Sequence, residues 1–219
     1  MFLEVADVLK PDEIARLRAI AQTAPFVDGR VSNPHASMKN NLQLDFSNAA
    51  YQQSSALLQA ALTRNESLRN FAFPKMIAPP LLTKHEAGMA YGPHSDTPFM
   101  TLGQKTFRSD LSCTIFLSDP DSFAGGELCI HLGTKPVLFK LPAGSAILYP
   151  STTVHEVRPV TAGTRLVGIT FIESRIPNAN HREMLYELGE VDALEGLGMK
   201  MANRVRLGCV ISSLHREWS

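Results

Sequence analysis

The chain is poor in several things that direct a protein toward a partner or a compartment. Only three of its 219 residues are cysteine (Cys113, Cys129 and Cys209), an odd number without CxxC spacing. That argues against a disulfide framework and against a structural zinc site. Neither sign of charge is in excess: Lys plus Arg and Asp plus Glu number 21 each, so no net field gathers nucleic acid or acidic membrane. Aromatic residues make up 7%, with a lone Trp218, which offers no stacking platform for bases. No apolar run approaches membrane-spanning length. The Met1-Phe2-Leu3-Glu4 start has no basic segment ahead of an apolar one, so no signal peptide is expected. These absences together lead to the expectation of a reduced, cytoplasmic protein without nucleic-acid or membrane partners.

What is there is ordinary in bulk and patterned in detail. Hydrophobic residues are 44% and charged residues 19%, enough to bury one full core. Residues 1–72 read as a mostly helical support region. Pro11-Asp12-Glu13 opens a helix whose Ile14, Leu17 and Ile20 recur at helical spacing. A second helix is expected from about Asn48 to Leu68. Between them Leu42, Leu44 and Phe46 alternate with polar residues as in a half-buried strand. From 73 to 176 short apolar runs alternate with Gly, Pro, Asp and Ser turns, the texture of a jelly roll, sandwich or barrel. Beyond Pro177, residues 177–219 become helical again. Leu185, Leu188, Val191, Leu194 and Leu197, then Met201, Val205 and Val210, form an apolar side suited to packing on the barrel. The expected fold class is mainly β with flanking helices.

Within the β-region, His94 and Asp96 are two apart, His155 follows 61 residues after His94, and Arg165 comes 10 later. Side chains two apart on a strand share a face and can grip one ion. Two imidazoles and a carboxylate leave coordination positions open, the ligand set of non-haem Fe(II) oxygenases. Catalytic zinc sites also have three protein ligands and an open position, so a zinc hydrolase is the rival. Two features favour iron. Glu156 on an extended segment points away from His155 and is not placed as a general base. Arg165 offers a bidentate fork for a dicarboxylate, which hydrolysis of a neutral bond does not need.

These residues and their neighbours resemble a known family, the Fe(II)/2-oxoglutarate-dependent dioxygenases of the prolyl-4-hydroxylase type, and within it the bacterial PKHD-type hydroxylases. The shared stretches are Lys39-Asn40-Asn41-Leu42-Gln43, Gly88 to Asp96, Arg108 to Ser112, Phe116 to Pro120, Gly125 to Leu128, Leu141 to Gly144, Leu148 to Ser151 and His155 to Thr161. The resemblance implies a double-stranded β-helix holding Fe(II) through His94, Asp96 and His155. It further implies 2-oxoglutarate clamped by Arg165, molecular oxygen as oxidant, succinate and carbon dioxide as products, and L-ascorbate as the reductant that sustains the iron. The substrate would be a small molecule or a peptidyl residue, prolyl among the options, and a homo-oligomer is possible. The family usually has tyrosine nine positions before the first ligand, and here that position is His85. Its imidazole would either replace the tyrosine in a pH-sensitive way or mark a changed pocket, which keeps a non-catalytic iron or 2-oxoglutarate sensor as an alternative.

Further residues are assigned by position. Tyr91, three before His94, would face away from it on a straight strand; packing and pocket roles weigh equally. Ser112 and Thr114 share a strand face and are candidates to hydrogen-bond the co-substrate, beside Tyr149 as core lining. Lys39 and Asn41 are expected at the surface or at a substrate mouth. Gly125-Gly126 reads as a turn. His131, His181 and His215 have no evident partners.

Overall fold

The computed structural model describes residues 1–219. The N-terminal segment comprises β1 (Leu3–Val5), α1 (Pro11–Thr23), β2 (Phe26–Asp28), β3 (Lys39–Asn40), β4 (Leu42–Leu44), α2 (Ala49–Arg64) and α3 (Glu66–Ala72). Nine strands then follow: β5 (Pro74–Ile77), β6 (Leu81–Glu86), β7 (Ala90–His94), β8 (Phe99–Leu102), β9 (Lys105–Arg108), β10 (Leu111–Phe116), β11 (Phe123–Gly125), β12 (Leu128–Leu132) and β13 (Lys135–Phe139). The chain closes with β14 (Ala146–Pro150), β15 (His155–Val157), the long β16 (Val160–Ser174), α4 (Ala179–Glu195) and α5 (Met201–Trp218).

The major sheet runs β1-β14-β10-β16-β6-β4-β2, with β5 and β11 also pairing β16; the minor sheet runs β13-β12-β15-β7-β3. This is the jelly-roll core with flanking helices that the strand texture suggests. Alternation along the strands sorts the side chains into two cores. Phe116, Ile147, Tyr149 and Val167 of the major sheet meet Leu128, Ile130 and Phe139 of the minor sheet between the layers. Cys113, Ile115, Leu148 and Leu166 point the other way and pack on Leu17 of α1, Leu58 and Leu62 of α2, and Leu68 of α3. The central β10 is consequently buried at every position.

Local signals explain the helices. Lys10 N–H donates to Glu13 Oε2 at 2.8 Å, and Pro11, which has no N–H to satisfy, occupies the first turn. The single helix expected over about 48–68 is instead two. Asn65 Oδ1 accepts from Leu68 N–H at 2.9 Å, so Asn65 ends α2 and caps α3. The C-terminal stripe also departs from expectation. Leu185 is buried and Tyr186 meets the Phe71 ring edge-on, but Leu194, Leu197, Met201, Val205 and Val210 are exposed. Strand β4 likewise breaks the expected alternation: Gln43 and Leu44 are both fully buried, while Phe46 lies beyond the strand and is exposed.

Candidate active site

Strands β7 and β15 pair antiparallel with His94 directly opposite His155, their ring centroids 4.3 Å apart. Asp96 lies just past the end of β7, its N–H held by the Ser151 carbonyl at 3.0 Å. His94 Nδ1 donates to the Gly92 carbonyl (2.8 Å) and His155 Nδ1 to the Thr153 carbonyl (3.0 Å). With the proton on Nδ1, each Nε2 keeps a bare lone pair. His94 Nε2 is 3.9 Å from Asp96 Oδ1 and His155 Nε2 is 3.6 Å from Asp96 Oδ2. All three donors lie within 4.8 Å of one another. Those spacings are too long for hydrogen bonds and suit ligands around one ion. Burial, then the adjacent His155, pulls His94 below the ordinary imidazole range, which favours the neutral, ligating form.

A chain of hydroxyls steadies the carboxylate. Ser112 Oγ donates to Asp96 Oδ2, and the Ser151 hydroxyl lies 2.8 Å from both Ser112 Oγ and Ser109 Oγ. Ser112 therefore serves Asp96 rather than standing free for the co-substrate. Tyr91 does not face away from His94: the rings stack at 3.7 Å and 15°. The cause is a bulge, because the three steps of β7 from Tyr91 to His94 lie opposite only two steps of β15, which shifts the alternation. Tyr149 presents its ring to His155 at 4.9 Å.

Arg165 on β16 is paired directly with His85 on β6, both on the inner face. Arg165 is 2% exposed, its Nε has no partner, and no carboxylate pairs with it. Phe116 lies 5.9 Å below the guanidinium carbon. Gly126, at φ +68°, lets the loop close over the side chain; a Cβ there would come within 3.2 Å of Arg165 Cδ. The Gly125-Gly126 turn is thus also part of the pocket wall. Burial lowers Arg165 to about 10, so it stays a cation at neutral pH. A buried cation without a counter-ion is costly, and an arriving carboxylate relieves that cost. Both His85 ring nitrogens are also buried and unpartnered. Burial, then Arg165, then Lys39, hold His85 down to about 3, so it is neutral rather than pH-sensitive in the physiological range. Thr114 is buried on the same inner face of β10 as Ser112.

Lys39 and Asn41 are buried, not at the surface. Lys39 Nζ donates to Ser32 Oγ at 2.7 Å and sits 5.8 Å over the Tyr91 ring, beside the site. Gln43, fully buried with an unpartnered carboxamide, carried no signal in the sequence because it occupied the polar phase of a half-buried strand. His131, unassigned above, lies near Cys129 and Glu156 on the other side of the minor sheet. His181 stacks on Trp218, and His215 meets Phe73 edge-on.

The 2OG-Fe(II) oxygenase superfamily profile matches residues 80–173, which hold every residue of this site from β6 to β16. A PKHD-type hydroxylase of Sphingopyxis alaskensis is 48% identical over 215 residues, 98% of each chain. The chain belongs to this family. It is a 2-oxoglutarate-dependent dioxygenase. The hydroxylase is also 38% identical over 223 residues to a PKHD-type hydroxylase of Thermosynechococcus vestitus, covering 100% of this chain and 99% of that one. Among solved structures, a Pseudomonas putida prolyl-4-hydroxylase shares the fold at TM-score 0.53 and 18% identity, covering 79% of this chain and 92% of that one. A Trichoplax adhaerens prolyl hydroxylase, solved with a hypoxia-inducible-factor peptide fragment, does so at TM-score 0.55 and 14% identity, covering 78% and 83%.

Proposed function

We propose that this hydroxylase holds Fe(II) through His94 Nε2, Asp96 and His155 Nε2. Arg165 would bind the distal carboxylate of 2-oxoglutarate, with His85 and Thr114 beside it and Tyr91 backing His94. The substrate would be an amino-acid residue, prolyl or another, presented in a peptide or a small molecule. One observation carries the reading: a fully buried guanidinium without a carboxylate partner shares the inner face of the barrel with Tyr149, which itself touches the His155 ring. The peptide-bound structural neighbour and the prolyl-4-hydroxylase fold support an amino-acid residue as substrate. L-ascorbate, restoring oxidised iron between turnovers, belongs to the same proposal.

Bound iron and keto acid would supply the oxidation, in which oxygen and 2-oxoglutarate give succinate, carbon dioxide and a hydroxylated C–H bond. The chain's own contribution is placement. The two Nδ1–H bonds fix the imidazole tautomers, and the serine hydroxyls fix the rotation of the Asp96 carboxylate. Arg165 sets the direction from which a dicarboxylate enters and strengthens its hold because Phe116, Val167 and Ile147 wall the pocket with apolar surface. Neutral His85 can bond the same carboxylate without adding charge.

His94→Ala removes a ligand from a partly buried position outside both hydrophobic cores, so it should abolish Fe(II)-dependent succinate formation while circular dichroism stays unchanged. Turnover retained by a folded variant would overturn the ligand assignment.

A further inference from the structure

The minor sheet carries a second convergence of donors on its outer face. Leu128 and Ile130 of β12 point into the core between the sheets, so Cys129 and His131 point outward. Glu156 of β15 is the direct cross-strand partner of Cys129. Cys129 Sγ is 3.8 Å from His131 Nε2, which is 3.7 Å from Glu156 Oε1. The three donors all lie within 4.8 Å of one another. The imidazole–carboxylate distance exceeds a hydrogen bond. Metal bonds of ~2.3 Å to sulfur and ~2.0–2.1 Å to nitrogen and oxygen give tetrahedral edges of roughly 3.3–3.6 Å, close to what is seen.

We propose that Cys129, His131 and Glu156 form a second metal site, for a borderline-soft divalent cation of the zinc type, that clamps β12 to β15. The donor set is thiolate, imidazole and carboxylate, with the thiol proton released to solvent on binding. Cys129 is fully buried while His131 and Glu156 are half-exposed, so the open fourth position faces water. The construction resembles that of the inner triad, with an i, i+2 pair from one segment and a third donor from β15. Consecutive residues of β15 thus serve the two faces, His155 inward and Glu156 outward, and an ion at the outer site steadies the strand that carries His155. Two features oppose a cation: the Arg158 guanidinium lies near the thiol, and burial, then Glu156, raise the thiol, so the ion must displace its proton. The paucity of cysteine spoke against a zinc site, but this set uses only one.

Cobalt(II) titration of the metal-free full chain tests the proposal, because a thiolate ligand produces a sulfur-to-cobalt charge-transfer band in the near ultraviolet. The inner triad has no sulfur and cannot contribute to it. The band should correspond to one thiolate–cobalt site per chain, saturate by two equivalents in the wild-type chain because the inner triad also takes cobalt, be bleached by zinc(II), persist in Asp96→Ala and Cys209→Ser, and vanish in Cys129→Ser. His131→Gln, at a half-exposed position, should also lose it, and keeps the test valid where Cys129→Ser fails to fold. Absence of the band in the wild-type chain, its survival in His131→Gln, or its loss in Cys209→Ser would each overturn the site.

Discussion

Asp96 is the proposed ligand whose geometry depends most on a neighbour. Its Oδ2 accepts from Ser112, which is itself held by Ser151 and Ser109. Ser112→Ala should therefore weaken Fe(II) binding by roughly 10–100-fold with the fold intact, read by metal titration of the apoprotein. An unchanged affinity would mean that the hydroxyl does not orient the carboxylate. His85 supplies a second residue-level prediction. Its folded value near 3 lies below the ordinary 6.5, so between those values the unfolded chain binds more protons. Stability thus rises with pH across that window and is lost as pH falls through it, by at most about 1.4 kcal/mol per pH unit. His85→Gln should flatten that segment of a urea-midpoint profile; identical acid dependence in both proteins would contradict a buried neutral imidazole. The convergence of His94, Asp96 and His155 and the inward placing of Arg165 were legible because the chemistry proposed for them calls for particular residue types at particular spacings. The Tyr91–His94 stack was not, since a bulge reversed its parity. The Ser112–Asp96 bond joins residues 16 apart and leaves no periodic trace.

At the scale of elements, strands were read from short apolar runs between turns, and β10 is buried on both faces although Ser112 and Thr114 interrupt its apolar residues. Helix existence was equally legible, but junctions and partners were less so. Asn65 looked like one polar residue within a continuing helix, yet its side chain caps α3. Asn65→Ala should cost about 1 kcal/mol in chemical denaturation without changing turnover, since the junction lies on the helical side of the major sheet. A neutral effect would show that the two helices hold their angle without the cap. In α4 and α5 the apolar stripe was correctly placed on helices but wrongly assigned to the barrel. Leu194 and Leu197 are 78% and 88% exposed. Periodicity says which residues share a side, not which body covers it.

For the molecule as a whole, the major sheet separates a helix-facing core from the core inside the barrel, and the proposed chemistry is confined to the second. Helices α1 to α3 brace the sheet that presents Arg165 and His85, while the minor sheet presents His94 and His155. In the proposed reading this arrangement makes metal binding and co-substrate binding separable. The most direct test of the account is an anaerobic titration of the metal-free protein with Fe(II) and then 2-oxoglutarate, following the visible charge-transfer band of a chelated keto acid. In the wild-type chain the band should form, then decay on admission of oxygen with release of succinate. Arg165→Lys should form it only at a 2-oxoglutarate concentration raised about tenfold or more, as one ammonium replaces a bidentate fork. Iron binding without a band in the wild-type chain, or an unchanged midpoint in Arg165→Lys, would contradict the assignment of this pocket to 2-oxoglutarate.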